Sequence, residues 1–237
     1  MIDTHCHLLA GVDDGPRSDA ESLRLARHLA EDGVTTVVCT PHFSERFPTP
    51  RVVALDRHER LRRELDAVGI ELETIVAAEL SVATALETPV ERLWARAIGG
   101  RFLLVELVRE TSAVSALTVC ARLFDFGLVP VIAHPERCRA VQANPALLDD
   151  AREEGAWMQV VAPSLAGGWG GGVWATAWAL VESGRADLLA SDAHRVSASS
   201  PSLAAVAALV EERCGRARRE ELTETAPRRL LNAHSNT

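Results

Sequence analysis

Short apolar runs alternate along the chain with longer stretches in which leucine, valine and alanine recur every three to four residues. The apolar runs are IDTH (2–5), VTTVVCT (34–40), LETIVAAE (72–79), RFLLVEL (101–107), LVPVIAH (128–134), WMQVV (157–161) and ADLLASD (186–192). Their length and β-branched content predict strands buried on both faces. ESLRLARHLAEDG (21–33) predicts an amphipathic helix closed by Gly33, and RVVALDRHERLRRELDAVG (51–69) one closed by Gly69. Further helices are predicted over 112–126, 145–154, 172–183, 199–214 and 219–232.

Strands alternating with helices predict an α/β fold, a parallel sheet with its helices outside. Seven such units suggest a TIM-like (β/α)7 barrel, with an open doubly wound sheet as the alternative. No internal repeat or linker divides residues 1–237, which predicts a single domain. GGWGGG (167–172) is too short for a linker and reads as a flexible βα loop.

Polar residues change this picture, because they gather where strands end. His5 and His7 close the first strand, and Asp13 and Asp14 lie in the loop after it. His42 follows the second strand, Glu79 ends the third, Glu106 the fourth and His134 the fifth. Asp192 and His194 end the seventh. The carboxyl ends of barrel strands are where such folds build active sites. His-x-His on a strand sends both imidazoles to one face, because side chains alternate with period two. Imidazoles mixed with carboxylates suit manganese, iron or zinc. One of these groups alone reads as structural; the set reads as a metal site. Cys6, between the two histidines, points the other way and reads as core. His28, His58 and His234 fall within helices or near the tail and read as solvated. Arg137, three residues past His134, reads either as a surface ion pair or as a planar clamp for phosphate.

Composition narrows the chemistry. A net charge of −8 argues against nucleic acid or an anionic membrane as partner. No apolar run approaches the roughly 18 residues that span a bilayer, so no membrane insertion is expected. No basic and apolar leader precedes the first histidines, so a retained N-terminus is expected. Five scattered cysteines without a C-x-x-C pair indicate a reducing, cytoplasmic setting. All 25 basic residues are arginine, which excludes a P-loop lysine, a Schiff base and a carboxylated-lysine metal bridge. Cysteine-nucleophile phosphatases require Cys-x5-Arg, yet the sixth residue after each cysteine is Val12, Glu45, Phe126, Asn144 or Glu220.

The ordered set H-C-H with V-D-D-G-P, C-T-P-H, E-L (79–80), V-E-L, H-P-E-R and S-D-A-H spans nearly the whole chain. It resembles the polymerase-and-histidinol-phosphatase (PHP) superfamily. Within it, the set is similar to the manganese-dependent protein-tyrosine phosphatases of bacterial capsule and exopolysaccharide operons. That resemblance implies a distorted seven-stranded barrel, two to three divalent ions with manganese ahead of iron or zinc, and hydrolysis of phosphotyrosine on a protein. The implied partner is a cognate bacterial tyrosine kinase. The matching metal-ligand positions are His5, His7, Asp14, His42, Glu79, Glu106, His134, Asp192 and His194. Arg137 matches a phosphate-contacting position, and Asp192 is the candidate for protonating the leaving group. A polar Q-x-N-A-G-S-like run is replaced here by QVVAPS (159–164), and GGWGGG lacks the basic residues of that region. The alternatives are a small-molecule phosphatase of the same superfamily, of the histidinol-phosphate type, and a non-catalytic metal-binding domain.

Overall fold

A computed structural model describes residues 1–197 and 201–233. Among these described residues nine strands follow one another: β1 (Ile2–Cys6), β2 (Thr36–Cys39), β3 (His42–Phe43), β4 (Glu73–Val76), β5 (Glu79–Ser81), β6 (Phe102–Glu106), β7 (Val129–Ala133), β8 (Trp157–Val161) and β9 (Leu188–Ala190). They pair in parallel as β1-β2-β4 and β3-β5-β6-β7-β8-β9. β2 and β3 are one extended passage interrupted at Thr40–Pro41, where proline removes a ladder donor. β4 and β5 are another, interrupted at Ala77–Ala78. Nine strands therefore make seven passages, in the positions the apolar runs predict.

The seventh passage returns to the first. Asp192 N donates to His5 O at 2.9 Å, His7 N donates to Ala193 O at 2.9 Å, and Cys6 bridges Ala193 in parallel. Seven consecutive parallel passages that come back to the first are the winding of a distorted (β/α)7 barrel.

The main helices form where predicted. Asp19–Glu31 starts on Ser18, whose hydroxyl accepts from Glu21 N, and Arg51–Val68 ends on Gly69 in the left-handed region (φ 67°). Ala113–Asp125, Gly171–Glu182 and Leu203–Cys214 match three further segments, although residues 199–200 of the 199–214 prediction lie outside the described residues. The prediction over 145–154 shrinks to Asp149–Glu153, with residues 145–148 forming a turn after the extended Asn144. The 219–232 segment is divided into Arg216–Glu220, a π turn over Glu221–Thr225 and Ala226–Leu231. Pro227 lacks the N–H that a regular helix would use there. Among the described residues no helix is long and apolar enough to cross a membrane.

Strand alternation divides the interior in two. Leu103, Val105, Ile132, Met158, Val160 and Leu189 face outward and pack under the helices. Val38, Ala77, Phe102, Leu104, Val129, Val131, Ala133 and Leu188 face inward and meet Ala226 and Leu230 of the last helix, which fills one end of the barrel. Two or four residues beyond these inward positions stand His42, Glu79, Glu106 and Asp192. The same period two aligns Asp3, His5 and His7. The apolar floor and the polar site are thus successive layers on the inner faces of the same strands.

Candidate metal centre

Glu79 lies at the middle of the polar layer and is fully buried. Its Oε2 is 3.3 Å from His5 Nε2, 3.3 Å from His7 Nε2 and 3.0 Å from His42 Nδ1, while Oε1 is 2.9 Å from His134 Nε2. Although three imidazole nitrogens are this close, none is aligned to donate to Oε2, which has no hydrogen-bond partner. Asp14 Oδ1 and His134 Nδ1 are likewise buried without a partner. Buried polar atoms are ordinarily satisfied. Lone pairs that converge without donors between them are the arrangement a cation would complete, so these residues fit divalent metal.

The ligand-capable atoms form three overlapping groups. One comprises His7, Asp14, His42 and His194, a second His5, His7 and Asp192, and a third His42, Glu79 and Glu106; within each, the atoms lie within 4.8 Å of one another. His7 and His42 are shared. His134 belongs to none of these groups and instead meets Glu79 directly. Every residue predicted as a ligand thus reaches one cluster, fed by six of the seven passages.

A second ring of partners orients the imidazoles. His5 Nδ1 is 2.8 Å from Gln159 Oε1, and Gln159 Nε2 donates to Thr4 Oγ1 at 2.8 Å. His7 Nδ1 is 2.6 Å from Asp13 Oδ2, and His194 Nδ1 is 2.9 Å from the Asp192 carbonyl. Each contact calls for a proton on Nδ1, leaving the Nε2 lone pair of that ring for the cluster. Asp13 also accepts from the N–H groups of Gly15 and His42. It is therefore the buttress and Asp14 the inward-facing carboxylate of the D-D pair. Gly15 is indispensable to this turn: a Cβ there would lie 2.5 Å from His7 O. Asp3 accepts from His5 N, Ser191 N and Ser191 Oγ, tying β1 to the end of β9.

Burial opposes charge on both His5 and His7, yet the surrounding carboxylates outweigh it and raise both rings above the usual imidazole range. Burial also opposes charge on Glu79 and Asp192, but the neighbouring histidines, joined by Arg137 at Asp192, hold both carboxyls well below the usual range. At Glu106 the same burial prevails and pushes the carboxyl up, and the nearby Glu79 adds to that shift.

Two candidate ligands carry strained backbone. His134 and Asp192 are the non-glycine residues with positive φ among those described, at 34° and 52°. A cost of about 1–3 kcal/mol each is typical of such positions. For His134 the benefit is geometric: it follows the inward-facing Ala133 and would otherwise point out of the barrel.

Arg137 sits at the rim. Its Nη2 donates to Asp192 Oδ2 at 2.8 Å, its guanidinium lies 4.4 Å from the Trp169 ring centroid, and its Nε is buried with no partner. It shares a cavity of about 650 Å³ with His42, Glu106, His134 and His194. The ion-pair reading and the phosphate-clamp reading are compatible, because one edge of the fork is anchored while the rest is available. Trp169, in the GGWGGG stretch read as a flexible loop, contributes an aromatic face to that cavity.

Elsewhere the histidines differ from expectation. His58 is half-buried, its Nε2 2.8 Å from Thr74 Oγ1 and 3.0 Å from Thr74 O, and pins the helix Arg51–Val68 to β4. It is not simply solvated. His28 is half-buried against the main cavity, again not free in solvent. His234 lies outside the described residues. Cys6, Cys39, Cys120 and Cys138 are buried and Cys214 partly so. Burial pushes the Cys120 thiol up to about 12 and Cys39 higher still, which suits core packing and not nucleophilic work.

The sequence pattern described as capsular polysaccharide synthesis, CpsB/CapC, matches residues 1–232. The tyrosine-protein phosphatase YwqE of Bacillus subtilis (strain 168) is 31% identical over 198 residues, 83% of this chain and 78% of that protein. The tyrosine-protein phosphatase CpsB of Streptococcus pneumoniae is 26% identical over 98% of both chains. Among solved structures, one from a study of YwqE from Bacillus subtilis and CpsB from Streptococcus pneumoniae, described as unique metal-dependent tyrosine phosphatases, superposes with a TM-score of 0.87. It is 31% identical and covers 98% of this chain and 95% of its own.

Proposed function

The chain belongs to the CpsB/CapC family of capsular polysaccharide synthesis, and from that premise we propose that it is a metal-dependent protein-tyrosine phosphatase. The observation that carries the proposal is the convergence of His5, His7, His42 and His134 on Glu79, whose Oε2 no hydrogen bond satisfies. His5, His7, Asp14, His42, Glu79, Glu106, His134, Asp192 and His194 would hold two to three divalent ions, manganese foremost. When bound, such ions supply Lewis acidity toward phosphoryl oxygens and activate water at neutral pH.

The chain's own residues do the rest. Arg137 reaches non-bridging phosphoryl oxygens through the edge of its guanidinium that is not engaged by Asp192, and stabilises the charge that shifts onto them in the transition state. Asp192 orients that arginine and remains charged, so its role is ligand and anchor. The earlier expectation that it protonates the leaving group has no support in its acidity, which its neighbours increase. A phenolate leaves without much help. Asp13 and Gln159 keep His7 and His5 in the tautomers that ligation requires.

The proposed substrate is a phosphotyrosyl protein, with a bacterial tyrosine kinase of the cytoplasm as partner, and residues 1–237 act as one catalytic domain. The test compares metal-stripped and manganese-loaded protein on an aryl phosphate, a phosphotyrosyl peptide and histidinol phosphate. Activity should vanish with the metal and return with manganese, and kcat/KM should favour the peptide over histidinol phosphate. Stripping should also lower Tm, because the ions neutralise clustered carboxylates of the folded state alone. Full activity in the stripped protein overturns the metal mechanism; preference for histidinol phosphate overturns the substrate.

A further inference from the structure

A second cavity, of about 570 Å³, adjoins the first, with Asp14, His194 and Arg195 bordering both. Four arginines from four separate segments line it, together with Asp13, Asp14 and Glu21: Arg17 from the loop after β1, Arg24 from the helix Asp19–Glu31, Arg46 from the loop after β3 and Arg195 from the turn after β9. All four are exposed. Arg24 lies 3.8 Å from Glu21. Among the described residues no carboxylate lies within 4.0 Å of the guanidinium of Arg17, Arg46 or Arg195. Arg46 instead rests on Phe47 at 5.0 Å, and Phe47 stacks on His42 at 5.5 Å, which links the cavity wall to the metal centre.

This convergence runs against the chain's own charge. With a net charge of −8, arginines would ordinarily be shared out among the abundant acids, as Arg152, Arg185, Arg213 and Arg229 are. Of the carboxylates in the lining, Asp13 is turned to His7, Asp14 to His42 and His194, and Glu21 to Arg24, so the charge left uncompensated in the concavity is that of three guanidinia, and it favours an anionic visitor. The phosphoryl group itself belongs between Arg137 and the ligand cluster. Because the two cavities share Asp14, His194 and Arg195, a polypeptide bearing it can run from the first cavity into the second and set its flanking residues beside the arginines.

Resting on the phosphatase reading, we infer that this cavity is a docking groove for acidic side chains flanking the phosphotyrosine, with Arg17, Arg46 and Arg195 as the recognising groups. Substrate choice is then set by polypeptide context as well as by the phosphate, and a small phosphomonoester without flanks does not sense the groove.

The experiment measures kcat/KM for two phosphotyrosyl peptides of equal length, one flanked by glutamates and one by glutamines, at low and high salt. The metal-loaded wild type and the Arg17→Gln/Arg46→Gln/Arg195→Gln variant are compared, with p-nitrophenyl phosphate as the flank-free control. The wild type should favour the acidic peptide by about tenfold at low salt, since several exposed charge pairs each contribute modestly, and salt should shrink the ratio. The variant should hydrolyse p-nitrophenyl phosphate as the wild type does, while its peptide ratio falls to about one. An acidic preference that persists in the variant, or no preference in a wild type that hydrolyses both peptides, overturns the inference. Should the triple variant prove inactive on p-nitrophenyl phosphate, Arg46→Gln and Arg17→Gln taken singly must each lower the ratio, and an unchanged ratio in both overturns it equally. A metal-loaded wild type inactive on every phosphotyrosyl and aryl substrate is a different result, which overturns the phosphatase reading itself.

Discussion

Arg137 and Asp192 are joined at 2.8 Å, Nη2 to Oδ2, while the other oxygen of Asp192 faces His5 at 3.4 Å and His7 at 3.6 Å. One carboxylate therefore serves both the candidate metal cluster and the residue proposed to hold phosphate. The Arg137 side chain is only 18% exposed, so the pair has little freedom to part.

Arg137→Ala should keep the fold and bound metal but lose transition-state stabilisation. Losing a charged contact of this kind costs about 3–4 kcal/mol, or on the order of 100- to 1000-fold in kcat/KM. Most of the loss should fall on kcat, because charge shifts during reaction. Arg137→Lys should recover only part, since an ammonium cannot make two parallel contacts. Metal analysis with steady-state kinetics on an aryl phosphate checks this, and unchanged kinetics in Arg137→Ala would remove Arg137 from the mechanism.

Trp169 is 57% exposed and lies against the Arg137 guanidinium. Its contact with Arg137 is a cation–π stack worth about 0.5–1 kcal/mol at exposed sites. Trp169→Ala should lower kcat/KM about two- to fivefold, and Trp169→Phe should restore most of it. The effect should disappear when Arg137 is already alanine; a full independent effect in that background would mean that Trp169 acts elsewhere.

Asp13→Asn removes the carboxylate behind His7 while leaving every candidate ligand in place. Partners of this kind typically account for 10- to 100-fold in metal affinity. Titration of the stripped variant with manganese should show weakening in that range, with activity recovered at saturating metal. Wild-type affinity would mean that Gly15 and the turn alone orient His7.

Asp187 provides a pH test away from the site. It accepts from Met158 N at 2.8 Å and lies 3.6 Å from Arg152. Burial nevertheless raises its carboxyl above the ordinary aspartate value. A raised folded-state pKa means that the fold favours the protonated form. The associated stability is present below the unfolded pKa and lost as pH rises through the folded one. Asp187→Asn, which keeps an acceptor for Met158, removes that dependence. Denaturant unfolding from pH 3.5 to 7 should show the variant gaining on the wild type with rising pH, and a difference flat with pH refutes the assignment.

The alternation of apolar runs and amphipathic stretches was sufficient to place seven strand passages, their parallel winding and the five main helices, because these features depend on periodicities of two and 3.6 residues that any short segment carries by itself. The candidate ligands were legible for the same reason. His5 and His7 share a face by local geometry, and a polar residue just past an apolar strand stands at the barrel mouth. Other features were decided only by tertiary contact. Asp13 and Asp14 are adjacent turn residues in sequence; what separates buttress from inward-facing carboxylate is that His7 meets one while His42 and His194 meet the other. Gln159 and Asp3 could have been flagged as polar residues within apolar strands, but their partners lie 154 and 188 residues away. Arg137 became bound to Asp192 and Trp169 through a barrel closure that no local pattern encodes. The arginines of the second cavity are scattered over four loops and helices and look like ordinary surface charge until the fold brings them together. Local periodicity dictates which way a side chain points along its own strand or helix; which groups it meets is decided when seven passages close on one another.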